Sequence, residues 1–292
     1  MTIFRVGTLA VLVGYGGLGC PALARPQATQ VGPALVIPPL DGGAASRSRA
    51  EGGVRFGHPL PTPGSAWTVT VHASSLSEDP AGGGQQASTY ESELRTEIVS
   101  VDGPAPSRVK LRFVRNVQTY QGNPVPTIID GKEYIVDARA PHVRDATGGA
   151  APEAEAQRVL DAFPDLGTRA RIDEVLPGED VSLRVGERHD DLAAAILRII
   201  HPRAWTLRAG TASLARTEGD LAIFALTLEA SSERGLRMVL AGEARVRIHD
   251  ASLSDLSLEG RYENTAPGAN EPPGTFVLQR HVTWEEALRS GR

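Results

Sequence analysis

From residue 67 onward the chain keeps placing an apolar side chain at every second position, and this alternation constrains its fold more than any other feature. It recurs over residues 205–216, 221–231, 236–249, 252–262 and 276–282. In the third of these, Ala244, Val246 and Ile248 alternate with Arg245, Arg247 and His249. A period of two puts one set of side chains on each face of a strand, so each segment reads as a half-buried β-strand. The breaks between them, Glu218-Gly219-Asp220, Glu233-Arg234-Gly235 and Asp250-Ala251, are short and rich in turn-formers, which predicts an antiparallel meander. Earlier in the chain, Trp67, Val69, Val71 and Ala73 alternate with polar residues. Leu94 and Ile98 oppose Glu91, Glu93, Arg95 and Glu97, and Val109, Leu111 and Phe113 oppose Lys110 and Arg112. Asp102-Gly103-Pro104 supplies a turn between these last two strands, and residues 131–138 make a fourth.

Antiparallel strands with one apolar face need a cover. Two helices are predicted to supply it. Residues 152–163 open on Pro152 and set Ala156, Val159, Leu160 and Phe163 on one stripe; residues 190–200 are apolar almost all round, which demands burial on most sides. Thr283-x-x-Glu286 reads as a capping box for a short C-terminal helix, and residues 267–274 as a long loop. The expected fold class is therefore mainly β (α+β), a long curved antiparallel sheet with two central helices covering one face. Two β-lobes joined by a helical segment are the alternative.

The N-terminus reads as an address. One cation, Arg5, precedes an apolar stretch over residues 6–18, then Pro21 and Ala22-Leu23-Ala24. This is the layout of a secretory signal over residues 1–24, with cleavage expected between Ala24 and Arg25. The sole cysteine, Cys20, stands where a lipoprotein signal places its acylated residue, though Gly17 and Leu18 hold the usual small and leucine positions in reversed order. Gly14-Tyr15-Gly16-Gly17-Leu18-Gly19 matches a dinucleotide-binding pattern but lies inside the apolar signal rather than between a strand and a helix, so it carries no nucleotide reading. Residues 25–65, dense in Pro, Gly, Ala and Ser, read as a flexible linker, and residues 66–292 as the β-rich domain.

Composition narrows function mostly by exclusion. Thirty Lys+Arg against 35 Asp+Glu leave a formal charge of -5, so no basic footprint for nucleic acid exists, and membrane contact is expected only through a lipid anchor. No hydrolase elbow, P-loop, zinc or calcium motif occurs, and neither metal nor cofactor is expected. His189, Asp190 and His201 sit at opposite ends of one helix, about 16 Å apart at ~1.5 Å per residue, too far for one metal ion. The leading expectation is a non-enzymatic, exported bacterial envelope protein binding a lipid or other apolar ligand, or an envelope protein partner. Trp67, Phe113, Ile196, Leu197, Trp205 and Phe224 are the expected cavity lining. A secreted hydrolase assembled from His189, Asp190 and His249, and a purely structural surface protein, are the rivals.

The address is directly testable by the intact mass of the protein recovered from its own cell envelope. Acylation at Cys20 identifies a lipid-anchored form, and a chain starting at Arg25 a free one. An unmodified chain still carrying residues 1–24 would overturn the reading.

Overall fold

The computed structural model describes residues 53–58, 60–78, 84–103, 105–137, 142–162, 172–178, 180–200, 205–233, 235–265 and 273–285. The signal expected over residues 1–24, with Cys20 and Ala24, lies outside them, as do Arg25 and most of the expected linker. In chain order the elements are β1 (Ala66–Glu78), β2 (Gln85–Asp102), β3 (Ala105–Tyr120), β4 (Asn123–Pro126), β5 (Glu133–Asp137) and β6 (His142–Asp145). Helices α1 (Glu153–Ala162), α2 (Ile172–Val175) and α3 (Asp191–Ile200) follow. The chain then forms β7 (Trp205–Glu218), β8 (Leu221–Ser232), β9 (Leu236–Arg247), β10 (Leu253–Asn264) and β11 (Gly274–Glu285).

All strands belong to one curved, unclosed antiparallel sheet, ordered β6-β5-β3-β2-β1-β11-β10-β9-β8-β7, with β4 added beside β3. The alternation read from the sequence thus becomes a single mainly β layer, and the two-lobe alternative is not realised. The two half-sheets are fused by β1 and β11, which pair from Ala66↔Glu285 to Ser77↔Gly274. The same ladder overrides the helix expected at Thr283. Thr283 pairs with Thr68 and Trp284 with Trp67, so the strand runs on to Glu285, because ladder pairing and burial outweigh a local capping signal. Glu286 lies outside the described residues.

Curvature has an identifiable cause in β9 and β10. Gly242 is registered between Leu226 and Leu258, and Gly260 between Leu240 and Phe276, all on the face that carries the core. A Cβ at Gly242 would lie 1.9 Å from the Ser257 carbonyl oxygen, and one at Gly260 1.9 Å from that of Val239. Neighbouring backbone occupies the space a side chain would need, so the sheet bends there on glycine alone.

Both helical covers lie on this inner face, but towards the two flanks of the sheet. The larger core gathers α3 residues Leu192 and Ile196 with Phe224 and Leu226 of β8, Leu240 of β9 and Leu258 of β10. Helix α3 sits so close to β7 that a Cβ at Gly210 would lie 2.9 Å from that of Ala193. Phe56 joins this core, fully buried, its ring centroid 6.3 Å from that of Phe224. Residues 53–58, which fall within the linker expected over 25–65, are thus anchored: the isolated aromatic is buried because the core offers it a site, whatever the glycines around it prefer. The smaller core packs Val159 of α1 on Leu111 and Phe113 of β3, Tyr134 and Val136 of β5, and Val143 of β6.

Helix α1 is also held by charge. Glu155 in its first turn accepts from Lys132 Nζ at 2.7 Å and from the buried Tyr134 hydroxyl at 2.6 Å. Lys132 first, and then Tyr134, hold the Glu155 carboxyl below its ordinary range, while burial first, and then Glu155, push the Tyr134 phenol up.

Two outcomes follow. Gly242→Val should cost about 1–3 kcal/mol or more in chemical unfolding through overpacking, whereas Ala241→Val at the exposed neighbouring position should be near neutral. Glu155→Gln should cost about 0.5–1 kcal/mol at neutral pH. Because the folded state lowers this carboxyl's pKa, its contribution is complete above the ordinary value of 4.5 and vanishes as pH falls through the lowered one; mutant and parent unfolding curves should therefore converge in acid.

Candidate functional site

Between the two cores runs a strip of inner face, on β2, β1 and β11, that belongs to neither. Val69 of β1 and Val282 of β11 are paired neighbours, both buried, with half-buried Val71 beside them. Trp67 and Trp284 close one end, their ring centroids 5.0 Å apart and their planes 30° from parallel. The Arg247 guanidinium stacks 4.7 Å over the Trp284 ring, a cation–π contact, and is itself fixed by the Ser252 hydroxyl at 2.9 Å and by the Asp250 carboxylate. Asp250 also accepts from the Ser252 amide at 3.1 Å, the bond of a turn-forming Asp.

Polar groups are set into this apolar strip, and they fall into two kinds. Asn116 of β3, fully buried, is saturated: its Nδ2 donates to the Tyr90 and Ser92 hydroxyls at 2.8 and 3.2 Å, and its Oδ1 accepts from Thr127 at 2.8 Å. Ser75 and Ser88 bond each other at 3.1 Å. Thr96 of β2, registered beside Trp67, is also fully buried, yet its hydroxyl has no hydrogen-bond partner among the described residues. Neither amide atom of Gln118, 1% exposed and two residues from Asn116, has one either, and Trp284 Nε1 is in the same condition.

Such groups are rare because each costs about 1–3 kcal/mol when removed from water unpaired. Here three occur on one face, Thr96 and Trp284 flanking Trp67 at one end and Gln118, registered with Tyr90, about 20 Å along the strands, with Arg280 of β11 between them beside Val71. Chemically the strip offers valines and a tryptophan pair, hydroxyl- or amide-type groups at its two ends, one N–H donor and the Arg280 guanidinium, the composition of a site for an amphiphile.

The aromatic and aliphatic residues expected to line a cavity are distributed differently. Ile196, Leu197 and Phe224 are packed in the larger core and Phe113 in the smaller, with Trp205 at the margin of the larger. Trp67 alone of that set lies in the strip. The three residues expected to assemble a hydrolase are not brought together. His189 donates its backbone N–H to Ala212 midway along β7 at 2.8 Å, its ring meeting the Val175 carbonyl, and Asp190 accepts from the Ala212 amide at 3.3 Å and from Arg188. His249 instead lies beside Asp220, 2.5 Å away in the turn after β7, about 20 Å further on at ~3.3 Å per strand residue. The strands do join another pair: His281 Nδ1 of β11 lies 2.5 Å from Asp255 Oδ1 of β10 on the outer face. Burial pushes the Asp255 carboxyl up, but the His281 and Ser254 hydrogen bonds outweigh it and hold it below its usual range. Among the described residues no three His, Cys, Asp or Glu side chains cluster as metal ligands, and no helix is long and apolar enough to cross a membrane.

Thr96, Gln118, Trp284 and Arg247 were not singled out from the sequence as a set. Thr96 carried a usable signal, a polar residue in the apolar phase set by Leu94 and Ile98.

No protein-family model and no curated protein matches this chain. Among solved structures it is similar to one reporting lipid–protein interactions in lipovitellin, at 9% identity and a TM-score of 0.39, covering 79% of this chain and 26% of that one. It therefore spans about a quarter of that protein's length. A DUF1329 family protein from Desulfovibrio piger matches at 11% identity and a TM-score of 0.16, over 76% of this chain and 87% of the other.

Proposed function

We propose that this protein is a carrier or receptor for an amphiphilic, lipid-like molecule, held on the inner face between the two cores, and that it works in a bacterial cell envelope after export. The observation that carries the reading is the pair of buried polar groups of Thr96 and Trp284 beside Trp67, Val69 and Val282, with the Gln118 amide further along the same face beside Tyr90, none with a hydrogen-bond partner among the described residues. A hydrocarbon chain laid along the valines would gain roughly 25 cal/mol per Å² of apolar surface removed from water. Its hydroxyl, ester or amide groups would meet the three orphans, turning a cost of the free protein into selectivity for the bound state. Export rests on the signal layout of residues 1–24, and the Pro/Gly-rich segment that follows suits a tether, whether or not Cys20 is acylated. An envelope protein that docks on the same strip is the second reading.

The two roles of the orphan groups can be separated by isosteric replacement. Thr96→Val and Gln118→Leu each remove an unsatisfied polar group, so the free protein should unfold at a higher denaturant concentration. The same variants should bind a fluorescent polyene fatty acid, read by energy transfer from Trp67 and Trp284, about tenfold more weakly. Variants that keep full affinity for the probe, or a parent protein that takes up none, would remove the basis for the proposal.

A further inference from the structure

The outer face carries a different kind of site. Four adjacent strands, β9, β10, β11 and β1, form a groove of about 530 Å³ there. Its floor is a straight cross-strand row, Arg245↔Asp255↔His281↔Thr70, with Ser257 and His72 in the next row. Half-buried arginines elsewhere on the sheet, such as Arg95, Arg216 and Arg247, each meet a carboxylate. Arg245 is half-buried as well, yet its guanidinium makes no ion pair or hydrogen bond among the described residues.

The reason lies in how its neighbours are committed. Glu243, two residues away on the same face, is gripped by Arg216, whose Nη1 and Nη2 donate to it at 2.8 and 3.3 Å across the intervening strand. Glu218 is held by the same arginine at 2.8 Å. Asp255, the register partner of Arg245, is taken by His281 at 2.5 Å and by the Ser254 hydroxyl at 2.7 Å. Asp255 and Glu218 therefore act on Arg245 only through space, their direct hydrogen bonds being taken by His281, Ser254 and Arg216. This leaves the donors of its guanidinium without a direct partner among the described residues, in a groove that holds hydroxyl and imidazole groups beside the Glu243 and Asp255 carboxylates. A guanidinium presents a planar fork of donors that matches a carboxylate or phosphate in two parallel hydrogen bonds.

We infer that this groove binds the oxyanion, phosphate or carboxylate, of a hydroxyl-bearing ligand, with Arg245 as its anchor and Thr70, His72 and Ser257 as supporting hydrogen-bond groups. The site is independent of the inner strip, being on the opposite face of the sheet.

The full chain is titrated with inorganic phosphate at constant ionic strength, following the Arg245 side-chain N–H resonance and the amides of β9 to β11. In a second arm, binding is measured to phosphatidylcholine vesicles with and without phosphatidylglycerol. Arg245→Gln should weaken phosphate binding about tenfold or more. Arg237→Gln, which removes the same charge from β9 outside the groove, should leave it unchanged. Saturable phosphate binding with this pattern supports a soluble oxyanion ligand. Binding to phosphatidylglycerol vesicles alone, lost in Arg245→Gln and kept in Arg237→Gln, supports a lipid headgroup. Binding in neither arm, or equal losses in the two variants, overturns the inference.

Discussion

The ladder between β1 and β11 is the contact on which the rest of the molecule depends. Each half of the sheet is locally wound: β1 to β6 on one side, the β7 to β11 meander on the other. Neither half has a closed edge of its own at the seam. Pairing β1 with β11 joins them into one layer, and the segment between β6 and β7, the two outermost strands, then has to reach from one flank of that layer to the other. It carries helices α1, α2 and α3, and it sets α1 beside β6 and α3 against β7. The two packed cores therefore fall at the flanks, and the strip between them falls on the seam. The position of the candidate site is a consequence of topology before it is a matter of side chains.

Much of the layer could be read from alternation alone. The five strands of the C-terminal meander were marked by their apolar phase and their turn residues, because both signals are local. The elements that escaped, β4, β6 and α2, are four residues each and too short to show a period. Which strands meet across long separations has no local signature, so neither the β1–β11 seam nor the extension of β11 through Thr283 was legible. The site was hidden for a related reason. In β3 a bulge beside Val114 shifts the phase, so that Leu111 and Phe113 share a face with Asn116 and Gln118. Read without the bulge, Asn116 and Gln118 fall on the solvent side. Aromatic residues, for their part, look alike in sequence whether they fill a core, as Phe113 and Phe224 do, or border a strip, as Trp67 does.

The two faces of the sheet solve opposite electrostatic problems. Outside, charge is abundant and mostly cancelled across strands: Arg115 with Glu91, Arg108 with Asp137, Lys110 with Glu133, Arg95 with Glu285, Arg237 with Glu229 and Glu263. Each exposed pair is worth at most about 1 kcal/mol, so their contribution lies more in fixing register and keeping the face soluble than in stability. Against that background of paired charge, Arg245, half-buried and in direct contact with no carboxylate among the described residues, is a local exception. Inside, polarity is scarcer: beside the saturated Asn116, the Ser75–Ser88 pair and Arg280, it includes the Thr96, Gln118 and Trp284 groups that meet no hydrogen-bond partner among the described residues. On both faces the candidate sites are marked by broken satisfaction rather than by any motif.

The seam also sets a clock. Between the end of β1 and the start of β11 lie about 200 residues, all of which must leave the ribosome before the two strands can meet. At roughly 5–20 residues per second, the unpaired edge of β1 waits on the order of 10–40 s for its partner. During that interval the strand presents open backbone groups and alternating apolar side chains, a template for pairing with any other chain. A nascent protein of this topology stays unfinished for most of its synthesis. That leaves it dependent on protection until β11 arrives.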